Sequence, residues 1–131
     1  MRRLLLDSHI WFWYAIGSDE LSKSLREALD FSAGLCWFSP ISVWELGILA
    51  KKGRIRIDGD YRRWVERSLD TLALREAPIN AEVVLKAKEL DLSHDDPADR
   101  FLAATAVLYE LTLVTVDQGL VAADWLPTLT A

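Results

Sequence analysis

The sequence predicts an α/β protein with a mainly parallel central sheet and helices on both of its faces. Three observations carry this. The short apolar runs Leu4–Leu6, Leu35–Phe38 and Leu113–Val116 have strand length and sit between turn residues. The stretches between them place apolar residues at helical spacing and are punctuated by capping residues. Strands that alternate with helices need crossover connections, which align them in parallel. No internal repeat, low-complexity segment or linker breaks the 131 residues, so one domain spanning 1–131 is expected.

Leu4-Leu5-Leu6 reads as a buried strand ending at Asp7, and His9 to Ile16 as a short aromatic-rich helix stopped by Gly17. Ser18 or Asp19 is the expected cap of a second helix through Leu21, Leu25 and Leu29, closed by Gly34 before the strand Leu35–Phe38. Ser39-Pro40 pairs a capping serine with proline at the first helical position, and Ile41, Trp44, Ile48 and Leu49 continue that helix to about Gly53. Arg54 to Asp60 is a basic connector. Tyr61–Leu72 and Ala81–Leu90 are amphipathic helices, and Asp96-Pro97 opens the clearest helix, running to about Glu110. The β-branched run Leu113–Val116 ends at Asp117, and the tail has room for a last short strand. Trp37, Trp44 and Trp64 are expected in the core; of Trp11, Phe12, Trp13 and Tyr14, part is expected in the core and part at a protein interface.

Apolar residues make up 51% of the chain, enough for a core, and the charged share of 27% gives no case for disorder. The lone cysteine, Cys36, allows no internal disulfide and suits a reducing cytoplasm. No apolar run reaches the ~20 residues of a membrane span, and Asp7, Ser8 and His9 interrupt what would be a secretory signal. The net charge of −5 has the wrong sign for a protein that holds nucleic acid by bulk electrostatics. A metallonuclease escapes that objection, because bound cations neutralise its carboxylates and only a local basic patch must meet phosphates. Lys51, Lys52 and Arg54 head such a patch.

In an open parallel sheet, ligands gather outside the carboxyl ends of the strands. Asp7 and Asp117 each end a predicted strand, Asp99 lies in the first turn of a helix, and Glu45 lies near the second turn of another. Four carboxylates are thus expected at one edge. Helix capping accounts for Asp7 equally well, a solvated turn for Asp117, and a favourable helix start for Asp96 with Asp99. Glu45 is harder to explain so: it falls four residues after Ile41 and three before Ile48, on the apolar stripe, with no basic residue one turn before it. Converging carboxylates raise one another's pKa until a hard cation supplies positive charge, and oxygen-only ligands favour Mg²⁺ or Mn²⁺. Zinc is disfavoured by one cysteine and by His9 and His94, which lack ligand spacing. The expected chemistry is phosphodiester cleavage by metal-activated water. Ser8, Ser42 and Thr115 are candidates for orienting it, although caps and turns explain them as well. Arg100 is a candidate phosphate ligand, with a local salt bridge as the other explanation. There is no Gly-x-Ser-x-Gly elbow and no glycine-rich phosphate loop.

The assembled residues resemble the PIN-domain endoribonucleases of the VapC toxin kind. Leu4 to Trp11 is similar to the opening strand and first acid, and Ser39 to Leu46 to the second acidic motif. His94-Asp95-Asp96-Pro97-Ala98-Asp99-Arg100 is similar to the His-x-Asp-Pro-x-Asp-Arg signature of one branch, and Leu113 to Asp117 to the last strand with its acid. Ala98 stands where a larger aromatic is common, and Val116 where a polar or basic residue often precedes the last acid. The resemblance implies a three-layer α/β/α sandwich and an RNA-cleaving toxin. It further implies Asp7, Glu45, Asp99 and Asp117 as metal-binding catalytic acids, with Thr115 and Asp96 in support. It also implies homodimerisation and a cognate antitoxin covering a groove near the active site. Trp11, Trp13 and the region after Lys51 are the candidate docking places.

Two other readings compete. A non-catalytic binding module of the same fold predicts partner binding without metal-dependent cleavage and tolerance of Asp99→Asn. A small-molecule phosphatase with Asp7 as nucleophile lacks the second nearby aspartate, since Ser8 and His9 follow Asp7.

Overall fold

The computed structural model describes residues 2–92 and 96–131. His94 and Asp95, in the expected His-x-Asp-Pro-x-Asp-Arg signature, fall outside the described residues. In chain order the elements are β1 Leu4–Leu6, α1 Ser8–Ile16, α2 Lys23–Phe31, β2 Cys36–Phe38, α3 Pro40–Lys51 and α4 Tyr61–Thr71, then β3 Arg75–Glu76, α5 Ala81–Glu89, α6 Pro97–Leu108, β4 Thr112–Val114, α7 Gln118–Val121 and β5 Thr128–Leu129. The five strands form one sheet in the order β3-β2-β1-β4-β5, and every pairing is parallel.

The period-2 alternation of strand side chains sorts the core into two layers. Leu4 and Leu6 of β1, with Cys36 and Phe38 of β2 and Val114 of β4, join Ile10, Trp11, Leu25, Leu29, Leu46 and Val65 from α1 to α4 on one face. Leu5 and Leu113 turn the other way, onto Leu102, Ala103 and Ala106 of α6 and Leu120 of α7. Small residues on α6 let helices approach closely: Ala104 packs with Val83 and Ala87 of α5. The result is the expected α/β/α sandwich.

Several local expectations need correction. The cap of α2 is Ser22, whose hydroxyl accepts from the Leu25 N–H, rather than Ser18 or Asp19. Leu21 precedes that helix and is buried all the same. The strand β4 stops at Val114, because Thr115 turns its hydroxyl to the site. The edge strand β3 and the short α7 were not foreseen: β3 is an exposed Arg-Glu pair with no apolar alternation to mark it. Trp44 is 61% exposed and outside the core, whereas Trp37 and Trp64 are half-buried and pack against it. Trp11 is wholly buried, with its indole N–H donated to Ser68 Oγ at 2.6 Å, so it anchors the core and is no docking residue. Among the described residues, no helix is long and apolar enough to cross a membrane.

Candidate functional site

β1 lies at the centre of the sheet. The chain departs to β2 on one side and later returns to β4 on the other, which makes the carboxyl end of the β1–β4 pair the topological switch point. Asp7 follows β1 there, and its N–H donates to the Val114 carbonyl at 3.0 Å. Asp7 occupies the N-cap position of α1 yet makes no side-chain cap bond. Its carboxylate, in a residue only 7% exposed, instead accepts the Thr115 hydroxyl at 2.6 Å. Thr115, fully buried, also accepts the Asp117 N–H at 3.0 Å. One hydroxyl therefore ties the acid after β1 to the acid after β4.

Asp117 does cap: its Oδ1 accepts the Leu120 N–H at 3.0 Å. At α6 the cap is Asp96, whose Oδ1 accepts from Ala98 N–H at 2.9 Å and Asp99 N–H at 3.4 Å. That leaves Asp99 in the first turn of α6 without the capping duty. From α3, Glu45 stands half-buried on the side toward Asp7 and Asp96, whose charges it feels. Ser8 and Ser42, both fully buried, join α1 to α3 through hydroxyls 2.8 Å apart, and Ser8 also hydrogen-bonds the Glu45 carboxylate.

The electrostatics agree with this crowding. Burial holds the Asp7 carboxyl above the ordinary carboxylate range, the charge of Asp117 adds to that, and the Thr115 bond, His9 and a Ser8 backbone bond oppose it. Glu45 is raised by burial and by the charges of Asp7 and Asp96, against Ser8 and His9. Asp99 is pushed up to about 8 by burial and then by Asp96, Asp117, Asp7 and Glu45 together. Asp7, Glu45 and Asp117 each raise at least one other of the four acids. His9, set aside in the sequence because it lacks ligand spacing, lies close enough to lower both Asp7 and Glu45. It is exposed on α1 beside Trp13, with ring centroids 5.7 Å apart. Its position two residues after Asp7 was the available signal.

Among the described residues, no three His, Cys, Asp or Glu side chains are gathered closely enough to form a ready metal cage. Carboxylates that repel one another rest apart until a cation draws them in, and the all-oxygen donor set fits a hard divalent ion. Of the expected phosphate ligands, Arg100 donates from Nε to the Ala87 carbonyl at 3.0 Å and from its guanidinium to the Leu90 carbonyl at 2.7 Å. These bonds close the end of α5. Lys51, Lys52 and Arg54 are exposed at the far end of α3, the first about 9 Å along the axis from Glu45. The 530 Å³ depression between α5 and α6 is lined by Val84, Ala87, Lys88, Pro97, Arg100 and Phe101, and by none of the four acids. The acids occupy an open sheet edge.

A parallel α/β sandwich with an all-oxygen acidic site at its switch point defines the class of this protein. The PIN domain family matches residues 4–126, and the chain belongs to that family. It is 32% identical over 121 residues to Ribonuclease VapC22 of Mycobacterium tuberculosis (strain ATCC 25618 / H37Rv), covering 92% of this chain and 91% of the relative. In fold it is similar to the DNA-bound VapBC of Salmonella typhimurium, with a TM-score of 0.69 at 15% identity over 98% of each chain. FitAcB of Neisseria gonorrhoeae has the same TM-score at 21% identity, covering 97% of this chain and 96% of that one.

Proposed function

We propose that the chain is a divalent-cation-dependent endoribonuclease and the toxin of a toxin–antitoxin pair. One observation carries most weight: Asp7 sits buried at a helix N-cap without capping, its carboxylate given to Thr115 and to the field of Asp117. A fold that needed only a cap there would gain nothing by burying a carboxylate in this way. The relative named a ribonuclease, and the solved toxin–antitoxin structures of the same fold, support the activity and the partner class.

Asp7, Glu45, Asp99 and Asp117 would hold the ion. Thr115 fixes the rotamer of Asp7 and its distance from Asp117, and Ser8, seated by Ser42, does the same for Glu45. Asp96 organises the first turn of α6, in which Asp99 stands. Mg²⁺ or Mn²⁺ bound there supplies the positive charge that makes water nucleophilic near neutral pH and offsets charge on the leaving oxygen. Lys51, Lys52 and Arg54 lie where the backbone of a bound polymer can pass. A cognate antitoxin, a homodimeric state and a cytoplasmic location complete the reading.

The test is cleavage of total and structured RNA by the purified chain in Mg²⁺ or Mn²⁺, with chelator and an identically purified Asp99→Asn protein beside it. Metal-dependent cutting that the variant lacks supports the proposal. Equal cutting by both, or none by either with the variant normally folded, overturns it.

A further inference from the structure

Trp44 is an indole placed in water, 61% exposed, one residue before Glu45. Trp11, Trp13, Trp37 and Trp64 each meet an aromatic ring or a guanidinium. Among the described residues Trp44 has no such contact, so its ring face is open to solvent.

Its placement on α3 says what that is. At about 100° per residue, the buried Ser42 and Leu46 lie about 160° from Trp44, while Ile48 lies about 40° away and Lys51 about 20° away. Trp44, half-exposed Ile48 and exposed Lys51 therefore form one stripe. It begins one residue before Glu45 and reaches a cation about 10 Å further on. Across the site, Val116 is 40% exposed immediately before Asp117. Two of the four acids are thus flanked in sequence by exposed apolar side chains.

A carboxylate, a flat aromatic and a cation within about 10 Å along one helix suit a nucleic-acid strand whose scissile phosphate is at the acids. A base beside that phosphate stacks on the ring, and a further phosphate reaches the ammonium. We infer that Trp44 is a stacking platform for an unpaired RNA base next to the cleaved bond, with Lys51 as the phosphate contact along the same face of α3. This rests on the ribonuclease reading and adds which side chain would hold an unpaired base, since only a splayed base offers its face. Stacking of this kind tolerates every base, so the platform positions the strand and leaves base identity to other contacts.

The experiment is fluorescence anisotropy of a 5′-fluorescein-labelled unstructured oligoribonucleotide, and of the same strand carrying abasic sugars. Both are measured in Mg²⁺ on the Asp99→Asn protein, which prevents turnover. Adding Trp44→Ala is expected to weaken binding of the base-bearing strand about 5- to 150-fold and leave the abasic strand nearly unaffected. Trp44→Phe should restore most of the loss. Lys51→Gln should weaken both strands alike and flatten the salt dependence. Melting temperatures should be unchanged, because Trp44 is outside the core.

Equal affinity of the Trp44→Ala and parent proteins for the base-bearing strand overturns the inference, as does no RNA binding by the parent. If the substitution changes only sedimentation behaviour, the ring seats a second copy of the chain instead. Cleavage by the unmodified chain separates the two proposals. RNA bound through Trp44 but never cut leaves the platform standing and removes the activity; RNA cut with equal kcat/KM by Trp44→Ala does the reverse.

Discussion

Thr115→Val tests the arrangement at its narrowest point, because one buried hydroxyl serves two of the acids. Valine keeps the shape and removes both bonds: the 2.6 Å donation to Asp7 and the 3.0 Å acceptance from the Asp117 N–H. A hydrogen bond to a charged group contributes about 1.5–3 kcal/mol, and a backbone N–H left buried without an acceptor costs about 1–3 kcal/mol. Burial already raises Asp7, and the Thr115 bond is the largest of the effects that lower it. Losing it should raise Asp7 further. Protons then compete better with the ion, so Mn²⁺ affinity near neutral pH should fall about 10- to 100-fold and recover as pH rises. Thr115→Ser keeps the hydroxyl and should behave like the unmodified chain. Calorimetric Mn²⁺ titration from pH 6 to 9, beside urea unfolding of the metal-free proteins, reads both effects. Unchanged affinity and pH dependence in Thr115→Val would refute the claim that this hydroxyl tunes the site.

Asp99, pushed up to about 8 from an ordinary value of 3.8, stays protonated in the folded metal-free chain over pH values where the unfolded chain has lost the proton. Its contribution to stability is therefore full below about 4 and declines as pH rises to about 8. Asp99→Asn should remove that part of the decline, and thermal melts in chelator at pH 5 and pH 8 check the sign; a constant difference between the two proteins contradicts it. Saturating Mg²⁺ or Mn²⁺ should raise the melting temperature more at pH 8 than at pH 6, because the raised pKa values of Asp7, Glu45 and Asp99 let protons compete with the ion at lower pH. Arg100→Ala strips the bonds to the Ala87 and Leu90 carbonyls and should cost about 1–3 kcal/mol, with faster amide exchange at the end of α5. Leu5→Ala empties a fully buried position between β1 and α6 and should cost about 2–5 kcal/mol in urea unfolding, with the site's metal affinity nearly kept.

Strands, helices and the parallel sheet were legible in the sequence because they follow from local periodicity and capping chemistry. Ser39-Pro40 and Asp96-Pro97 start α3 and α6 in the places their chemistry requires. Leu4-Leu5-Leu6 is apolar on both sides because helices cover both sides of β1. Sequence order and strand ends were enough to nominate Asp7, Glu45, Asp99 and Asp117. What one dimension cannot show is which of two equally local roles a side chain takes. Asp7 and Asp96 are both N-cap residues, yet only Asp96 caps, because only Asp7 has the Thr115 hydroxyl brought to it from 108 positions away. Arg100 stands beside Asp99 in sequence, and only the packing of α5 on α6 brings its guanidinium to the Ala87 and Leu90 carbonyls. Trp44 fits the helical apolar pattern, but the burial of Ser42 and Leu46 turned the opposite face of α3 inward and left the ring in water. Periodicity marks a face as apolar or polar; only the tertiary structure, by deciding what covers each face, separates a core residue from one kept exposed beside the site.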